Sequence, residues 1–253
     1  IIMVLKLINW SKGVSGVRLE LVQLLKELLN HDILPVIPRQ GSVGASGDLA
    51  PLAHMALPLI GEGLVNFQER IMPAMLAMKE VGLDPIILEP KEGLSLINGT
   101  QVSTAIAIKA CLEAENILKV ADLSGALSVE ASLSSRSVFK SDIHKLKNHP
   151  GQRIVASNIW NLLNKSEIVS SHKNCDRMQD PYSFRCIPQV HGICRENYKC
   201  VKNIVENEAN SVSDNPIIMP NGKVLNSGHF HAESIAQAMD NLAIAIAEIG
   251  SIA

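Results

Sequence analysis

Residues 41 to 54, Gly-Ser-Val-Gly-Ala-Ser-Gly-Asp-Leu-Ala-Pro-Leu-Ala-His, place Gly41, Gly44 and Gly47 around Ala45 and Ser46, directly before Asp48. Glycines at that density free the backbone to enter conformations that a Cβ forbids and let another group approach the main chain closely. The obvious uses of such a loop fail on spacing. A phosphate-cradling loop needs a lysine after its last glycine, and a dinucleotide loop needs G-x-G-x-x-G, whereas these glycines run G-x-x-G-x-x-G. A nucleophile elbow needs G-x-S-x-G, but Gly47 follows Ser46 directly. What is left is either a glycine-rich turn capped by Asp48 or chemistry carried out by the backbone itself.

Other residues of chemical potential are scattered downstream. Arg185 stands within Gln179-Asp-Pro-Tyr-Ser-Phe-Arg185-Cys, flanked by proline turns; it is either a solvated charge or a fork for bidentate capture of a carboxylate. Tyr182 reads as a packed phenol with its hydroxyl satisfied, Gln179 offers both a donor and an acceptor, and Asn98, in Asn-Gly-Thr, reads as a helix cap. His229 and His231 form an H-x-H pair. No carboxylate or cysteine stands at matching ligand spacing, so these two, with His144, His149, His172 and His191, read as packing histidines and no metal is expected. His54 reads as support for the glycine-rich loop.

The chain that must position these residues has 253 residues, 47% of them hydrophobic, enough for a sizeable core. Lys and Arg number 23 against 25 Asp and Glu, without clusters, which argues against nucleic-acid or membrane-surface partners. Five cysteines without a C-x-x-C pair suit reduced thiols in a cytoplasmic protein. The apolar start is interrupted by Lys6 and no run approaches the length of a bilayer span, so no membrane association is expected.

Apolar residues at Val17, Leu21, Leu24, Leu25, Leu28 and Leu29 predict an amphipathic helix over 17–30. Pro35 and Pro38 make the next stretch an extended connector. Helix resumes near Leu49, with Asp48 as its cap, and a further helix is expected between Phe67 and Glu80. Residues 81–93 read as turn-rich, with a short strand or hairpin. A long, Ala-rich buried helix is predicted from Gly99 to about Ser135, with further helices over 152–164, 187–211 and 231 to the end. Residues 165–180 read as loop, and Asn221-Gly222 as a hairpin tip. With 3% aromatics and short β-branched runs, the chain is expected to be one mostly helical domain over 1–253.

The string Gly41 to His54 resembles the signature of the histidine and aromatic amino acid ammonia-lyases. The likeness continues in family order through residues 92–101, 141–146, 149–152, 175–192, 210–216 and 228–233. That resemblance implies that Ala45, Ser46 and Gly47 cyclise autocatalytically. By that resemblance the Gly47 nitrogen attacks the Ala45 carbonyl, whose oxygen leaves as one water, and loss of a second water from Ser46 gives 4-methylidene-imidazol-5-one (MIO), with no external cofactor. It further implies that Asn98 and Tyr182 attend this group, that Arg185 and Asn215 hold the substrate carboxylate, and that Gln179 and Phe230 line the pocket.

By the same resemblance the fold is mainly all-α, a long-helix bundle of the fumarase/aspartase-like ammonia-lyase type with minor short strands. The implied activity is elimination of ammonia from L-histidine to give trans-urocanate, in a homotetramer whose active sites are shared between subunits. A phenylalanine or tyrosine ammonia-lyase or aminomutase of the same superfamily stays open as an alternative, as does a truncated, inert helical subunit. The sequence departs from the family at Lys6, where arginine is usual, at Ile8, where asparagine is usual, and at His229. The family's catalytic tyrosine, a histidine that helps select imidazole substrates and an acidic pocket residue fall outside these residues, so the chain is expected to be an internal piece of a longer protein.

Overall fold

The computed structural model describes residues 1–43, 48–172, 174 and 176–253. In chain order they form α1 (Ile2–Trp10), α2 (Leu19–Asn30), β1 (Leu34–Pro35), α3 (Leu49–Ala56), β2 (Leu64–Phe67), β3 (Arg70–Pro73), α4 (Ala74–Glu80), α5 (Glu92–Ile97) and α6 (Gln101–Ala131). There follow α7 (Ser141–Lys145), α8 (Pro150–Leu162), α9 (Glu167–Ser171), α10 (Tyr182–Arg185), α11 (Ile187–Ala209), β4 (Ile217–Ile218), β5 (Val224–Leu225) and α12 (Glu233–Ile252). The chain is mainly α with a few short strands, the helical class expected. It packs as two compact units, Ile1–Ile108 with Ile204–Gln237, and Lys109–Asn203 with Ala238–Ala253.

In the first unit the apolar stripe of α2 supplies Leu21, Leu25 and Leu28, all fully buried, as its spacing predicts. They join Met3 and Trp10 of α1, Leu52 and Met55 of α3, Ala77 and Met78 of α4, and Val65 and Phe67 of β2 in one core. Burying each such leucine contributes about 1.5–3 kcal/mol. The extended connector at Pro35 is a short strand, pairing Leu34 with Asn66 and Pro35 with Val65.

Two local expectations are corrected here. Residues 67–80 are not helical throughout: β2 and β3 form a hairpin whose turn, Gln68 and Glu69, takes φ of 51° and 62°, and helix begins only at Ala74. The period-two burial of Leu64 to Phe67 marks the strand. Residues 81–93 contain no strand and lead into α5. The Asn221-Gly222 hairpin is present, with Ile217 opposite Leu225 and Ile218 opposite Val224.

The second unit has its own core, with Val129 of α6, Phe139, Val155 and Ile159 of α8, and Ile187 of α11. The stretch 165–180, read as loop, contains the short helix α9. The histidine at 149 ends the break before α8, and Pro150 opens that helix where its missing N–H costs nothing. Gly151 and Gly192 let α8 and α11 touch backbone to backbone, since a Cβ on Gly192 would lie 2.4 Å from the Gln152 nitrogen. Gly192→Ala is therefore expected to destabilise by about 1–3 kcal/mol or more in denaturant unfolding. Gly250→Ala, which meets open space in α12, should stabilise slightly through helix propensity.

One further expectation fails. By length and composition α12, at 20 residues, is apolar enough to cross a membrane. Ile235, Ala238, Leu242, Ala245 and Ile249 are buried along it at spacings alternating between three and four, the pattern of a packed helical seam.

Candidate active site

In the first unit Ser42 and Asp48, on the two flanks of the glycine-rich stretch, are hydrogen-bonded to each other. Gly44, Ala45, Ser46 and Gly47 lie outside the described residues, so the positions expected to cyclise are flanked by what is seen at Ser42 and Asp48. Asp48, 2% exposed, accepts from the Ser42 hydroxyl at 2.6 Å, the Ser103 N–H at 2.7 Å and the Ser103 hydroxyl at 2.8 Å. The sequence reading made Asp48 the side-chain cap of α3. It stands at that position, but its carboxylate makes no capping bond there. Instead it serves the first turn of α6, where free N–H groups and the helix dipole favour a negative charge.

Asn98 closes α5. Its N–H donates to the Leu94 carbonyl at 2.9 Å, and its own carbonyl accepts from Lys6 Nζ at 3.0 Å. Asn98 thus stands at a helix cap as read, but it caps through its backbone N–H, and among the described residues its side-chain amide makes no hydrogen bond. Gly99, at φ +133°, carries the chain on into α6; a Cβ there would lie 2.4 Å from Gln101 Oε1.

Beneath Asn98 lies a buried polar cluster that sequence reasoning missed. Lys6 is wholly buried and donates to the carbonyls of Ser95 and Asn98, both at 3.0 Å. Lys91, held at φ +79°, donates to the Ser15 carbonyl at 3.0 Å, Ser95 Oγ at 2.6 Å and Asp214 Oδ1 at 3.2 Å. A left-handed lysine costs about 1–2 kcal/mol, which these three bonds offset. The next residue after Asp214 is Asn215, whose side-chain oxygen accepts from the Ser227 N–H at 2.7 Å, leaving its amide NH₂ without a partner among the described residues. A signal existed: Lys6 lies three residues after Met3 and four before Trp10, on the buried stripe of an apolar helix.

Burial lowers the Lys6 pKa from 10.5 to about 7; Asp214 and Asp48 work against that fall and Lys91 adds to it. Between those two values the unfolded chain holds a proton that the folded chain has released, so stability rises with pH across that window by at most ~1.4 kcal/mol per unit. The contribution is complete above 10.5 and lost as pH falls toward 7. Denaturant midpoints measured from pH 7 to 10 should climb less steeply in Lys6→Met than in the parent. At the start of α5, Arg18 holds the Glu92 carboxyl down at about 2 through a 2.8 Å ion pair, with the Glu89 and Arg18 N–H groups assisting.

The second unit carries Gln179, Tyr182 and Arg185. Pro181 opens α10, a single turn that places Tyr182 and Arg185 three residues apart on one side. Tyr182 is 72% exposed and its hydroxyl has no partner among the described residues, which overturns its reading as a packed phenol. Arg185 is partly buried and its Nε is buried with no partner among the described residues, unlike a solvated surface arginine. Gln179 is exposed. The segment is tied down through Asp180, which accepts from the Ser135 N–H at 2.8 Å and pairs with Arg177 at 3.2 Å.

The histidines behave as packing residues where they are buried. His144 is 1% exposed; Gln152 Nε2 donates to its Nδ1 at 2.8 Å, which leaves Nε2 as the donor to the Val138 carbonyl at 2.8 Å. His191 lies against Asp122 at 3.1 Å, and Asp122 also receives Arg195 and Asn158. His229 and His231 are exposed. Phe230 is partly buried in the first unit, beside them in sequence. The candidates therefore divide, with Asn98, Asn215, Phe230 and the loop flanks in one unit and Gln179, Tyr182 and Arg185 in the other.

The family model described as aromatic amino acid lyase matches residues 1–253. A histidine ammonia-lyase of Vibrio cholerae is 50% identical over 254 residues, covering 100% of this chain and 50% of that protein. The crystal structure of histidine ammonia-lyase from Trypanosoma cruzi superposes with a TM-score of 0.89 at 40% identity, over 99% of this chain and 47% of the other. Pantoea agglomerans phenylalanine aminomutase gives 0.89 at 31% identity, over 96% and 50%. The chain spans about half the length of the curated relatives it matches. With the whole of its length matched at such identity, the chain belongs to the aromatic amino acid lyase family.

Proposed function

We propose that this chain is the electrophile-bearing part of a histidine ammonia-lyase, which eliminates ammonia from L-histidine to give trans-urocanate. The observation that carries the reading is 50% identity to a histidine ammonia-lyase along the entire chain, against 31% to a phenylalanine aminomutase. The residues fit an MIO group at 45–47. The buried Asp48 carboxylate ties Ser42, on the other flank of those positions, to Ser103, and Asn98 at the end of α5 has its backbone fixed while its side-chain amide has no partner among the described residues. When formed, the group supplies an electrophilic methylidene carbon that eases loss of the amine or of the β-hydrogen.

The chain's own side chains do the rest in this reading. The Arg185 guanidinium takes the substrate carboxylate with two parallel N–H bonds, and the Asn215 NH₂ adds a third donor. Asn98 offers its NH₂ to oxygen that gains negative charge, a role that needs a donor already fixed in place. Tyr182 attends the reacting centre, Gln179 borders the pocket, and Phe230 walls it from water. Assembly as a homotetramer with shared sites, in the cytoplasm, belongs to the same reading. The exposed apolar face of α6, with Leu112, Val120, Leu123 and Leu127, supports burial against further protein.

The test is incubation of the full-length enzyme with L-histidine, L-phenylalanine and L-tyrosine, following absorbance of the conjugated acrylate product. Turnover of histidine is expected; turnover of only phenylalanine or tyrosine would move the chain to another branch of the family. Intact mass should fall short of the encoded sequence by two water molecules. A well-folded protein of unmodified mass would favour the inert subunit instead.

A further inference from the structure

Lys6 is the least expected residue of the first unit. Full burial of a lysine is rare and costly, and this one spends its hydrogen bonds on two main-chain carbonyls of a single helix turn, Ser95 and Asn98. Both are carbonyls at the C-terminus of α5, where no intrahelical partner remains. The same turn is held from its other side by Lys91, which donates to Ser95 Oγ, while Ser95 Oγ donates to the Ser15 carbonyl at 2.7 Å. The Asn98 backbone is thus fixed at both its N–H and its C=O, yet its side-chain amide has no partner among the described residues. A helix terminus needing only stability would not require so expensive an anchor immediately beneath an unengaged amide.

We infer that Lys6 is a positioning residue, fixing through the Ser95 and Asn98 carbonyls the direction in which the Asn98 amide leaves α5. The inference rests on the role proposed above for Asn98. Charge supports it. The groups facing Lys6 are Asp214, Lys91 and Asp48. Complete burial drives Lys6 toward its neutral form, pKa about 7, with Lys91 adding to the fall; Asp214, already paired with Lys91, and Asp48, engaged by Ser42 and Ser103, oppose it without reversing it. A neutral amine still has two N–H donors for its two carbonyls. Above pH 7 the Asn98 turn is therefore anchored without a net charge that would bias the neighbouring site.

The experiment uses the full-length enzyme with Lys6→Met, Lys6→Arg, Asn98→Ala and the Lys6→Met/Asn98→Ala pair. It measures kcat and KM on L-histidine, intact mass, and hydrogen exchange of the peptide covering residues 92–100. Lys6→Met should exchange that peptide roughly tenfold faster and lower kcat at least about tenfold with KM little changed and the mass still that of the cyclised chain. Lys6→Arg, which keeps the donors, should restore both exchange and kcat. The double variant should be no slower than Asn98→Ala alone, because an anchor has nothing to position once the amide is gone.

Unchanged exchange or kcat in Lys6→Met, or losses that multiply in the double variant, would overturn the inference. If Asn98→Ala keeps full kcat, the role of Asn98 itself fails, which is a separate outcome. Should Lys6→Met not fold, Lys6→Gln takes its place. If neither folds, Lys6→Arg decides: a kcat that falls while exchange of residues 92–100 stays that of the parent would overturn the inference, because Lys6 would then not act through the anchored turn.

Discussion

Arg185→Ala is expected to lower kcat/KM for the amino acid substrate by about 10³-fold while leaving the fold nearly as stable as before. Each charge-assisted hydrogen bond contributes roughly 1.5–3 kcal/mol, and two of them to one carboxylate give about 3–6 kcal/mol, with each 1.4 kcal/mol worth a factor of ten. Arg185→Lys keeps the charge but loses the fork, so it should recover only part of the loss and remain about 10- to 100-fold impaired. Stability should move by no more than ~0.5 kcal/mol, because the Arg185 side chain makes no hydrogen bond among the described residues and its Nε is already buried without a partner. Steady-state kinetics together with denaturant unfolding test both halves. A large loss of stability with KM and kcat preserved would make Arg185 a packing residue.

Asp48→Ala carries the second large effect, and here stability and chemistry should fail together. The carboxylate receives the Ser42 hydroxyl and both donors of Ser103, so its removal strands donors where the carboxylate was 2% exposed. Ser42 is exposed and its hydroxyl can turn to water, so the two Ser103 donors carry the cost, about 1–3 kcal/mol each, for a total of roughly 2–6 kcal/mol. The same bonds tie Ser42, on one flank of the positions expected to cyclise, through Asp48, on the other, to the first turn of α6. Intact mass should show a large fraction of Asp48→Ala molecules that have not lost two waters. Ser103→Ala, which keeps its backbone N–H on the carboxylate, should lose less stability and still cyclise. Complete cyclisation of a folded Asp48→Ala protein would show that this tie is dispensable.

Much of the helical framework could be read directly from local pattern. The stripe of Leu21, Leu25 and Leu28, the long α6 and the Asn221-Gly222 hairpin each advertise themselves through spacing or turn chemistry confined to a few residues. The β2 to β3 hairpin was hidden because its turn uses Gln68 and Glu69 rather than the glycine or asparagine that usually signals a left-handed pair. Asp48 was legible as a residue before a helix, but not as the partner of Ser103, 55 positions away.

The sequence alone determined the family, the helical class and the list of side chains able to bind a carboxylate or assist an electrophile, since these follow from residue identity and short-range order. Only the tertiary structure decided which polar groups are already spent and which are free. It spends Lys6 on the end of α5 and Asp48 on the start of α6, and among the described residues leaves the Asn98 amide and the Arg185 Nε without partners. The reason is physical: a hydrogen bond between residues 92 positions apart, such as that from Lys6 to Asn98, exists only once packing has brought them together and removed the competing water.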